Sequence, residues 1–369
     1  MKNTFGNQVS ITLFGESHGP AIGAVLDGLA PGIPVDEDDI RHQLSLRRAA
    51  GNLSTARQES DPFIIESGVF EGVTTGTPIC ILIPNQSQHS RDYSALRGKA
   101  RPGHADYTAF CKYHGFEDYR GGGHFSGRIT AALVAAGAIA RGALRDKGIL
   151  IGTHMARCGG VSDRGFDVAE PENDLDFLAD APFPVLDSEA AEEMQNVILN
   201  AREEGDSVGG VLETLVLGLP AGVGEPWFDT VESVLSHALF GIPAIKGVEF
   251  GEGFALADMW GSQANDVFRA QADGTLATQT NHNGGINGGI TNGMPLRFRC
   301  AVKPTPSIYK PQQTADFLTG ENVDLQISGR HDPCIVHRAR AVVDAMTAIV
   351  LCDLLAGRYG TDWLGGDEA

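Results

Sequence analysis

Several glycine-rich segments of the chain carry histidines beside arginines or lysines, and these side chains can bind anions and transfer protons. The first segment is GESHG (residues 15–19), which follows a predicted strand. It presents His18 as a candidate acid, because imidazole is the side chain that titrates near neutral pH. The alternative for this motif taken alone is a loop histidine that is merely hydrogen-bonded.

The same five residues match G-x-S-x-G, the nucleophile elbow of serine hydrolases. Such an elbow follows a central strand, after earlier elements that include the loop supplying an oxyanion-hole donor. Only one predicted strand precedes residue 15, so the pattern disfavours a hydrolase that uses Ser17.

The segment RPGHADY (residues 101–107) places a second histidine on a turn, because Pro-Gly favours a tight turn that presents His104. Asp106 is close enough in sequence either to orient the His104 ring or to cap a following helix. A purely structural turn is the alternative for this segment in isolation.

The segment YRGGGHFSGR (residues 119–128) is the most specific local signal for ligand binding. Its three glycines let the backbone approach a ligand, and the predicted helix that follows directs its N-terminal N–H groups to the same place. Arg120, His124 and Arg128 add cationic groups, which favours an anion site over a glycine turn without a ligand. Neither G-x-G-x-x-G nor a Walker sequence occurs, so no dinucleotide fold or P-loop is predicted.

Three segments of the C-terminal half repeat this chemistry. NGGINGGI (residues 283–290) is glycine-rich, and KPTPS (residues 303–307) supplies a lysine and two hydroxyls suited to phosphate oxygens. In GRHDPC (residues 329–334), Arg330 can clamp a carboxylate or phosphate, and Asp332 is either a helix cap or a base beside the ligand. No metal-binding motif or Cys/His cluster occurs, so the sequence predicts no protein-bound metal.

The net charge of −19 disfavours nucleic acid or an acidic membrane as a partner. The charge is uneven, however, with ten Lys/Arg against five Asp/Glu over residues 91–147 and fourteen acids against two arginines over residues 163–206. The acidic stretch is typical of a solvated face or an insertion. The basic glycine-rich segments together predict one positive pocket for a small molecule that bears phosphate and carboxylate groups.

Length and composition indicate the class of protein and its location. The 369 residues, 42% of them hydrophobic, allow a large core. No apolar run approaches the ~20 residues of a membrane helix, and the N-terminus lacks the pattern of a secretion signal. The six cysteines are scattered, which is typical of free thiols in a reducing compartment, so a cytoplasmic protein is predicted.

Capping residues and apolar periodicity predict alternating strands and helices. The predicted helices run from Asp36 to before Gly51, from Ser126 to about Lys147, over 188–204, from Asp229-x-x-Glu232 to near Gly241, and over 336–356. The predicted strands are 9–14, 21–26, 63–70, 78–83, 211–217 and 295–302. The stretches beginning at Gly23 and Gly210 both follow the order strand, Gly-Leu turn with proline, and Asp-started helix. This indicates either an internal duplication or chance similarity of turn chemistry.

The motifs GESHG, RPGHADY, YRGGG-x-x-S-x-R, GGI-x-GGI, KPT and GRHDPC occur here in the order found in chorismate synthases. From about Gly6 to Leu355 the chain resembles that family. The resemblance implies an α+β sandwich, with helices held between antiparallel sheets, in one domain over residues 1–369 that assembles as a homotetramer. Two pseudo-repeated halves (about 6–150 and 208–356) and an acidic insertion (about 160–206) are compatible with it.

The resemblance also implies a lyase of the shikimate pathway, which serves aromatic amino acid biosynthesis. The family's reaction is a 1,4-anti elimination of phosphate from 5-enolpyruvylshikimate 3-phosphate, giving chorismate. It requires reduced FMN without net redox change. NADPH is a further cofactor only if the chain reduces its own flavin, and an external flavin reductase is the alternative. The substrate bears a phosphate and two carboxylates, which fits the predicted basic pocket.

Matching the family's motifs residue by residue implies three catalytic side chains. His18 resembles the histidine that protonates the departing phosphate, His104 the one that stabilises the flavin near N1 and the C2 oxygen, and Asp332 the aspartate that works with flavin N5 in removing the hydrogen. The residues that resemble substrate-binding arginines are Arg47, Arg48, Arg128 and Arg330. The residues that match FMN-contacting positions are His124, Phe125, Ser126, Ala244, Gly288, Lys303, Pro304, Thr305, Pro306, Ser307 and Arg330.

The sequence departs from the family pattern at three places. His124 stands where many members have arginine, so the charge of the pocket is expected to depend on pH. RRAAGNL (residues 47–53) replaces the usual R-R-x-P-G, which leaves one arginine contact, associated with NADPH, without a match. Ile129 follows Arg128 where many members have glutamate.

Overall fold

A computed structural model of the chain describes residues 2–49, 51–54, 60–86, 96–327 and 331–365. The helices are α1 (Glu37–Arg47), α2 (Asp106–Tyr113), α3 (Thr130–Asp146), α4 (Pro171–Asp180), α5 (Ser188–Glu203), α6 (Val231–Leu239), α7 (Gly261–Ala264) and α8 (Val336–Tyr359). The strands up to the middle of the chain are β1 (Thr4–Gly6), β2 (Ser10–Gly15), β3 (Ala21–Asp27), β4 (Pro31–Pro34), β5 (Ile64–Ser67), β6 (Val69–Phe70), β7 (Val73–Thr75), β8 (Ile79–Pro84), β9 (Leu150–Cys158) and β10 (Val161–Ser162). The later strands are β11 (Gly210–Leu217), β12 (Ile245–Phe250), β13 (Phe268–Ala270), β14 (Leu276–Thr278), β15 (Ile286–Asn287), β16 (Ile290–Thr291), β17 (Leu296–Val302), β18 (Gln312–Asp316) and β19 (Glu321–Leu325).

Two five-stranded antiparallel sheets form the outer layers. The first has the order β1-β2-β3-β8-β5 and the second the order β10-β9-β11-β17-β12. Side chains alternate along a strand, so one face of each sheet is apolar. On β8 the buried residues are Ile79, Ile81 and Ile83, and on β17 they are Leu296, Phe298, Cys300 and Val302.

Helices fill the space between the sheets. Helix α3 contacts β3 and β8 of the first sheet, α8 contacts β9 and β11 of the second, and the two helices pack against each other. Their close approach requires Gly137, because a Cβ there would collide with the side chain of Ala345. The apolar span Gly127–Asp146 has the length and composition of a membrane helix, but 83% of its most apolar window is buried inside the fold, as expected of a core helix. The expected α+β sandwich is therefore confirmed.

All six predicted strands are present, with ends that differ by one or two residues, and the segment 63–70 divides into β5 and β6. Asp36 caps α1 as predicted, accepting from the N–H groups of Asp38 and Asp39, but the helix ends at Arg47 rather than near Gly51. Ser126 caps only a short 3-10 turn, and α3 begins at Thr130.

The predicted start of α6 at Asp229 is wrong. Thr230 is the cap, and its Oγ1 accepts from the N–H of Ser233 at 3.0 Å. The acidic stretch folds into α4 and α5, whose buried residues include Leu178 and Ile198, and these helices pack against β9 and β10. The internal duplication and the two pseudo-repeated halves stay predictions.

A buried charge network ties the second sheet to the acidic stretch. His154 on β9 is fully buried, with Nδ1 2.8 Å from Asp163 and Nε2 3.1 Å from Glu213 on β11. Burial lowers the pKa of His154, but the hydrogen bonds to the two carboxylates outweigh it, so its pKa is raised. Burial raises the pKa values of Asp163 and Glu213, but hydrogen bonds to His154 and other nearby donors and charges outweigh it, so both pKa values are lowered.

We expect Glu213→Gln to lower the free energy of unfolding by about 3 kcal/mol, the typical cost of removing one partner of a buried ion pair. His154 contributes fully to the free energy of unfolding below its ordinary pKa of about 6.5, and this contribution is lost as pH rises through its raised pKa in the folded protein. The carboxylates contribute to the free energy of unfolding above about pH 4, and this contribution is lost on acidification. Urea unfolding between pH 4 and pH 9 measures the loss of stability at both ends of the range.

The matched control is Glu37→Gln, because Glu37 pairs with Arg41 on the surface and both side chains are 55% exposed. Exposed pairs of this kind contribute roughly 0–1 kcal/mol. Equal losses of stability in the two variants would contradict a special role for the buried network.

Candidate active site

The GESHG turn lies between β2 and β3, which pair antiparallel. A serine-hydrolase elbow joins a strand to a helix, so this turn does not have that architecture. The backbone N–H of Ser17 donates to the carbonyl of Gly123 at 3.0 Å. The side chain of His18 is largely buried, and its Nδ1 lies 3.1 Å from Oγ of Ser17. The histidine is therefore held on a fixed turn inside the protein.

The triple-glycine loop (residues 121–123) lies directly against His18. A Cβ at Gly121 would lie 2.5 Å from Cε1 of His18, and the φ of Gly121 is +65°, so only glycine fits there without displacing the ring. Nδ1 of His124 donates to the carbonyl of Gly15 at 2.8 Å. The first and third predicted motifs thus form one site.

Arg101 joins the second motif to the same place. Its Nη2 donates to the carbonyl of Gly121 at 2.6 Å. Its Nε and Nη2 also donate to the two carboxylate oxygens of Asp106, at 2.8 and 2.6 Å. Asp106 therefore holds Arg101 rather than the ring of His104, and the RPGHADY turn is fastened to the loop that covers His18.

The other side of the RPGHADY turn contacts the KPTPS segment. Nε2 of His104 lies 2.8 Å from Oγ of Ser307, and Nζ of Lys303 donates to the carbonyl of Gly103 at 2.6 Å. His18 and His104 are thus linked through Arg101 and Gly121, with Lys303 and Ser307 on the far side of His104. Four segments that are distant in sequence meet around the two histidines.

His104 has an unusually low pKa of about 4. Burial is the largest cause, the charge of Arg101 lowers the pKa further, Asp106 opposes it, and Lys303 and His331 add smaller decreases. An ordinary histidine becomes protonated as pH falls through about 6.5, whereas the ring of His104 in the folded protein stays mostly uncharged until pH falls to about 4. At neutral pH the ring of His104 is therefore an uncharged hydrogen-bonding group.

We expect the ring of His104 to titrate near pH 4 in the ligand-free protein, which ring proton or carbon shifts in NMR spectra measure directly. Because the folded pKa is depressed, the stability linked to this ring falls as pH drops from about 6.5 to about 4. Adding a phosphate-bearing anion should raise the titration midpoint. An ordinary midpoint near 6.5 without ligand would contradict the buried, cation-flanked setting.

The predicted substrate-binding arginines of the first half meet at one carboxylate. Asp61 accepts from Nη1 of Arg128, and its other oxygen lies 3.4 Å from Nη1 of Arg47 and 3.9 Å from Nε of Arg48. Nε of Arg128 also donates to Oδ1 of Asn85 at 3.0 Å. The structure therefore brings Arg47, Arg48 and Arg128 together.

Asn85 connects these arginines to the GESHG turn. Its amide donates to the carbonyls of Glu16 and Gly19, at 3.0 and 2.9 Å, while its oxygen accepts from Arg128. The arginine cluster and the turn that carries His18 are thus parts of one hydrogen-bonded unit.

Asp332 lies just before α8 and is held by Arg338, whose Nη1 donates to its carboxylate at 2.8 Å. Nε of Arg338 donates to the backbone carbonyl of Arg47 at 2.8 Å. Asp332 is therefore anchored beside the end of α1, where the arginine cluster begins. Arg330, predicted to bind both substrate and cofactor, lies outside the described residues.

Several of the residues predicted to contact the cofactor lie in or beside the KPTPS segment, which contacts the RPGHADY turn. The backbone N–H of Lys303 donates to the carbonyl of Ala244 at 2.9 Å, and Ala244 has a φ of +77°, a conformation that costs energy for a residue with a side chain. The remaining residues of KPTPS are Pro304, Thr305, Pro306 and Ser307, and Pro306 packs against Gly103. Phe125 is 43% exposed beside Tyr113, whose ring centroid is 6.0 Å away.

Two of the residues matched to FMN-contacting positions also have structural contacts of their own, and their cofactor role stays a prediction. Ser126 accepts from the backbone N–H of Arg128 and so caps the turn. Gly288 lies in the β15–β16 hairpin, which packs on residues 220–231, where the N–H of Val231 donates to the carbonyl of Gly289. Arg120, named as part of the anion site, is paired with Asp118 at 2.7 Å, which neutralises it locally.

Sequence reasoning missed several residues of the site. Asp61 and Asn85 carry no local signal, because each is defined by contacts with distant segments. His331 lies inside the GRHDPC motif, but no role was predicted for it. Arg101 and Asp106 lie inside a predicted motif, and their bidentate pairing shows why that motif begins with arginine and contains an aspartate five residues later.

Comparison with known proteins identifies the family. The family model described as chorismate synthase matches residues 9–356. The chorismate synthase of Thermococcus gammatolerans is 48% identical over 354 residues, covering 96% of this chain and 97% of that protein. The chorismate synthase of Dehalococcoides mccartyi is 47% identical over 355 residues, covering 96% of each chain. A crystal structure of chorismate synthase superposes with a TM-score of 0.73 at 32% identity, covering 96% of this chain and 94% of that one. The chain therefore belongs to the chorismate synthase family.

Proposed function

We propose that the chain catalyses the 1,4-anti elimination of phosphate from 5-enolpyruvylshikimate 3-phosphate, giving chorismate. The observation that carries this proposal is the meeting of two histidines, an arginine cluster and the KPTPS segment in one hydrogen-bonded unit. A substrate with one phosphate and two carboxylates needs several cations, and planar guanidinium groups bind such oxygens bidentately.

The arginines bind and orient the substrate. Arg47 and Arg128 are largely buried, so their charges act where water screens them little, and Arg48 is the most exposed of the three, with 31% of its side chain accessible. By binding the anionic groups of the substrate, the arginines orient it. The leaving phosphate and the departing hydrogen then lie at fixed positions relative to the two histidines and Asp332.

Two protein groups handle protons in this proposal. The C–O bond to phosphate breaks and its electron pair leaves on the phosphate oxygen. The ring C–H bond breaks as its proton is removed, and its electron pair forms a new ring double bond while the existing ring double bond shifts toward the carbon that lost phosphate. His18 gives a proton to the departing phosphate, since a buried imidazole on a rigid turn is suited to general acid catalysis. Asp332 is an acceptor for the departing proton, held in place by Arg338.

The residues present fit the phosphate-bearing flavin FMN. Within the described part of the chain, Oγ1 of Thr305 and Nε2 of His331 are buried without a hydrogen-bond partner, which a polar ligand would satisfy. Lys303, Thr305 and Ser307 would hold its phosphate and polar oxygens, and His104 would hydrogen-bond to its ring. Reduced FMN, when bound, supplies electron density that is returned by the end of turnover, so there is no net redox change.

We infer that the reduced flavin comes either from an external flavin reductase or from the chain itself using NADPH. The site would be the same in both cases, and only the second requires NADPH. A cytoplasmic location fits this chemistry, since the six cysteines are free thiols, as expected in a reducing compartment.

We also propose that the protein assembles as a homotetramer. Large aromatic side chains are strongly exposed on the segments around α6 and α7: Trp227 (83%), Phe228 (90%), Phe254 (85%) and Trp260 (79%). Exposed apolar surface of this extent is typical of an interface with another protein. Analytical ultracentrifugation measures the assembly directly.

An anaerobic assay tests the proposed function. The purified chain with 5-enolpyruvylshikimate 3-phosphate and chemically reduced FMN should release inorganic phosphate and form chorismate in equal amounts. Oxidised FMN should support no turnover. Phosphate release in the absence of any flavin would contradict the proposal, and so would covalent labelling of Ser17 by a fluorophosphonate that blocks the activity.

A further inference from the structure

One buried carboxylate, that of Asp61, is shared by three arginine side chains. The Asp61 side chain is fully buried, and both of its oxygens are engaged by guanidinium groups from α1 and from the turn before α3. Arg47 lies 14 residues before Asp61, with Arg48 next to it in sequence, whereas Arg128 follows Asp61 by 67 residues. One carboxylate therefore contacts all three of these arginines.

The backbone at Asp61 supports a positioning role. Its φ is +47°, in the left-handed region, and Pro62 follows it. A residue with a side chain occupies this region at an energetic cost, and such residues concentrate at functional sites where the surroundings hold them. The side-chain contacts with the arginines are interactions that can hold Asp61 in this conformation.

The arginines are fixed from their other sides as well. Nε of Arg47 donates to Oγ1 of Thr130 at 2.9 Å, and its Nη2 donates to the carbonyl of Gly127 at 3.0 Å. Nε of Arg48 is buried and finds no hydrogen-bond partner among the described residues, which leaves a donor for an anion. Asp61 thus contacts one side of each guanidinium group, and α1 and the residues that precede α3 hold the rest of the cluster in place.

We propose that Asp61 is a positioning residue that sets the spacing of Arg47, Arg48 and Arg128 for the anionic groups of the substrate. This inference rests on the proposed function of the same site. Three like charges this close repel one another, and one shared carboxylate offsets that repulsion while leaving a positive surplus for the ligand. Its role is to fix geometry, and the arginines themselves make the contacts.

The direction in which substrate affinity changes in one variant distinguishes a positioning role of Asp61 from a purely electrostatic one. If Asp61 acted only as a negative charge, Asp61→Asn would make the site more positive and tighten the binding of an anion. A positioning role predicts weaker binding, by roughly 10- to 100-fold, the range expected when charge-assisted hydrogen bonds are displaced. Isothermal titration with 5-enolpyruvylshikimate 3-phosphate and oxidised FMN measures this without turnover.

A second variant keeps the charge and changes the geometry. Asp61→Glu retains the carboxylate but moves it by one methylene, so positioning predicts weaker substrate binding and a charge-only role predicts wild-type binding. Binding of FMN alone, followed by its fluorescence, should match wild type in both variants, whereas a general loss of structure would weaken it too.

The matched control is Asp174→Asn. Asp174 is a largely buried aspartate that pairs with Arg164 at 2.6 Å in the acidic stretch. This variant should lose stability but bind the substrate and FMN normally. If the wild-type chain does not bind the substrate, the proposed function itself is contradicted. If the wild-type chain binds it and Asp61→Asn binds equally well or more tightly, the role of Asp61 alone is overturned.

Discussion

Replacing His18 by alanine is expected to lower the turnover number by roughly 10²- to 10⁴-fold, the usual contribution of a positioned acid or base. The ring is only 6% exposed and lies on a turn fixed by the Ser17–Gly123 hydrogen bond, which does not depend on the imidazole. The fold and substrate binding should therefore survive. Phosphate release under anaerobic conditions with reduced FMN measures the loss.

Gly121→Ala is expected to lower turnover as well, because it displaces the ring of His18 without removing it. Its new methyl group would lie 2.5 Å from Cε1 of His18, so the ring must move. The control is His237→Ala, because His237 is an exposed histidine on α6 whose ring contacts Phe5, outside the cluster. Turnover near the wild-type value in His18→Ala would show that this ring does not supply the proton.

The second large effect is expected for His104→Ala, which should also reduce turnover by roughly 10²-fold or more. The imidazole is flanked by the charges of Arg101 and Lys303 and hydrogen-bonds to Ser307, so its loss removes a polar group from the proposed flavin site. FMN affinity should fall together with the rate. In His18→Ala, by contrast, FMN affinity should stay normal.

Ser307→Ala provides the graded control for His104, since it removes the hydrogen-bonding hydroxyl and keeps the imidazole. Its effect should be smaller than that of His104→Ala. If His104→Ala keeps both normal turnover and normal FMN affinity, the role assigned to this histidine is wrong.

Motifs with strong local chemistry could be predicted from the sequence. His18 and His104 each lie on glycine turns whose conformation is set by neighbouring residues, and the alternating isoleucines of β8 show the period of a half-buried strand. The order of the six motifs then identified the family, which supplied the sandwich arrangement that periodicity alone did not.

Other features depend on the tertiary structure. Asp229 and Thr230 are both good capping residues, and only the folded chain shows that Thr230 accepts from Ser233. In the sequence, Asp61 looks like any aspartate before proline. Only the folded chain shows that it pairs with Arg128, 67 residues later. Strand β9 was not predicted, because its His154 is polar in sequence and becomes a core residue only through Asp163 and Glu213.

The structure of the chain bound to oxidised FMN and 5-enolpyruvylshikimate 3-phosphate tests most directly whether the scattered cationic segments serve one reaction. We expect both molecules in a single cavity, with the substrate phosphate beside His18 and the arginines that contact Asp61, and the flavin against His104 and residues 303–307. Binding of the two molecules in separate cavities, or of the substrate away from both histidines, would contradict it.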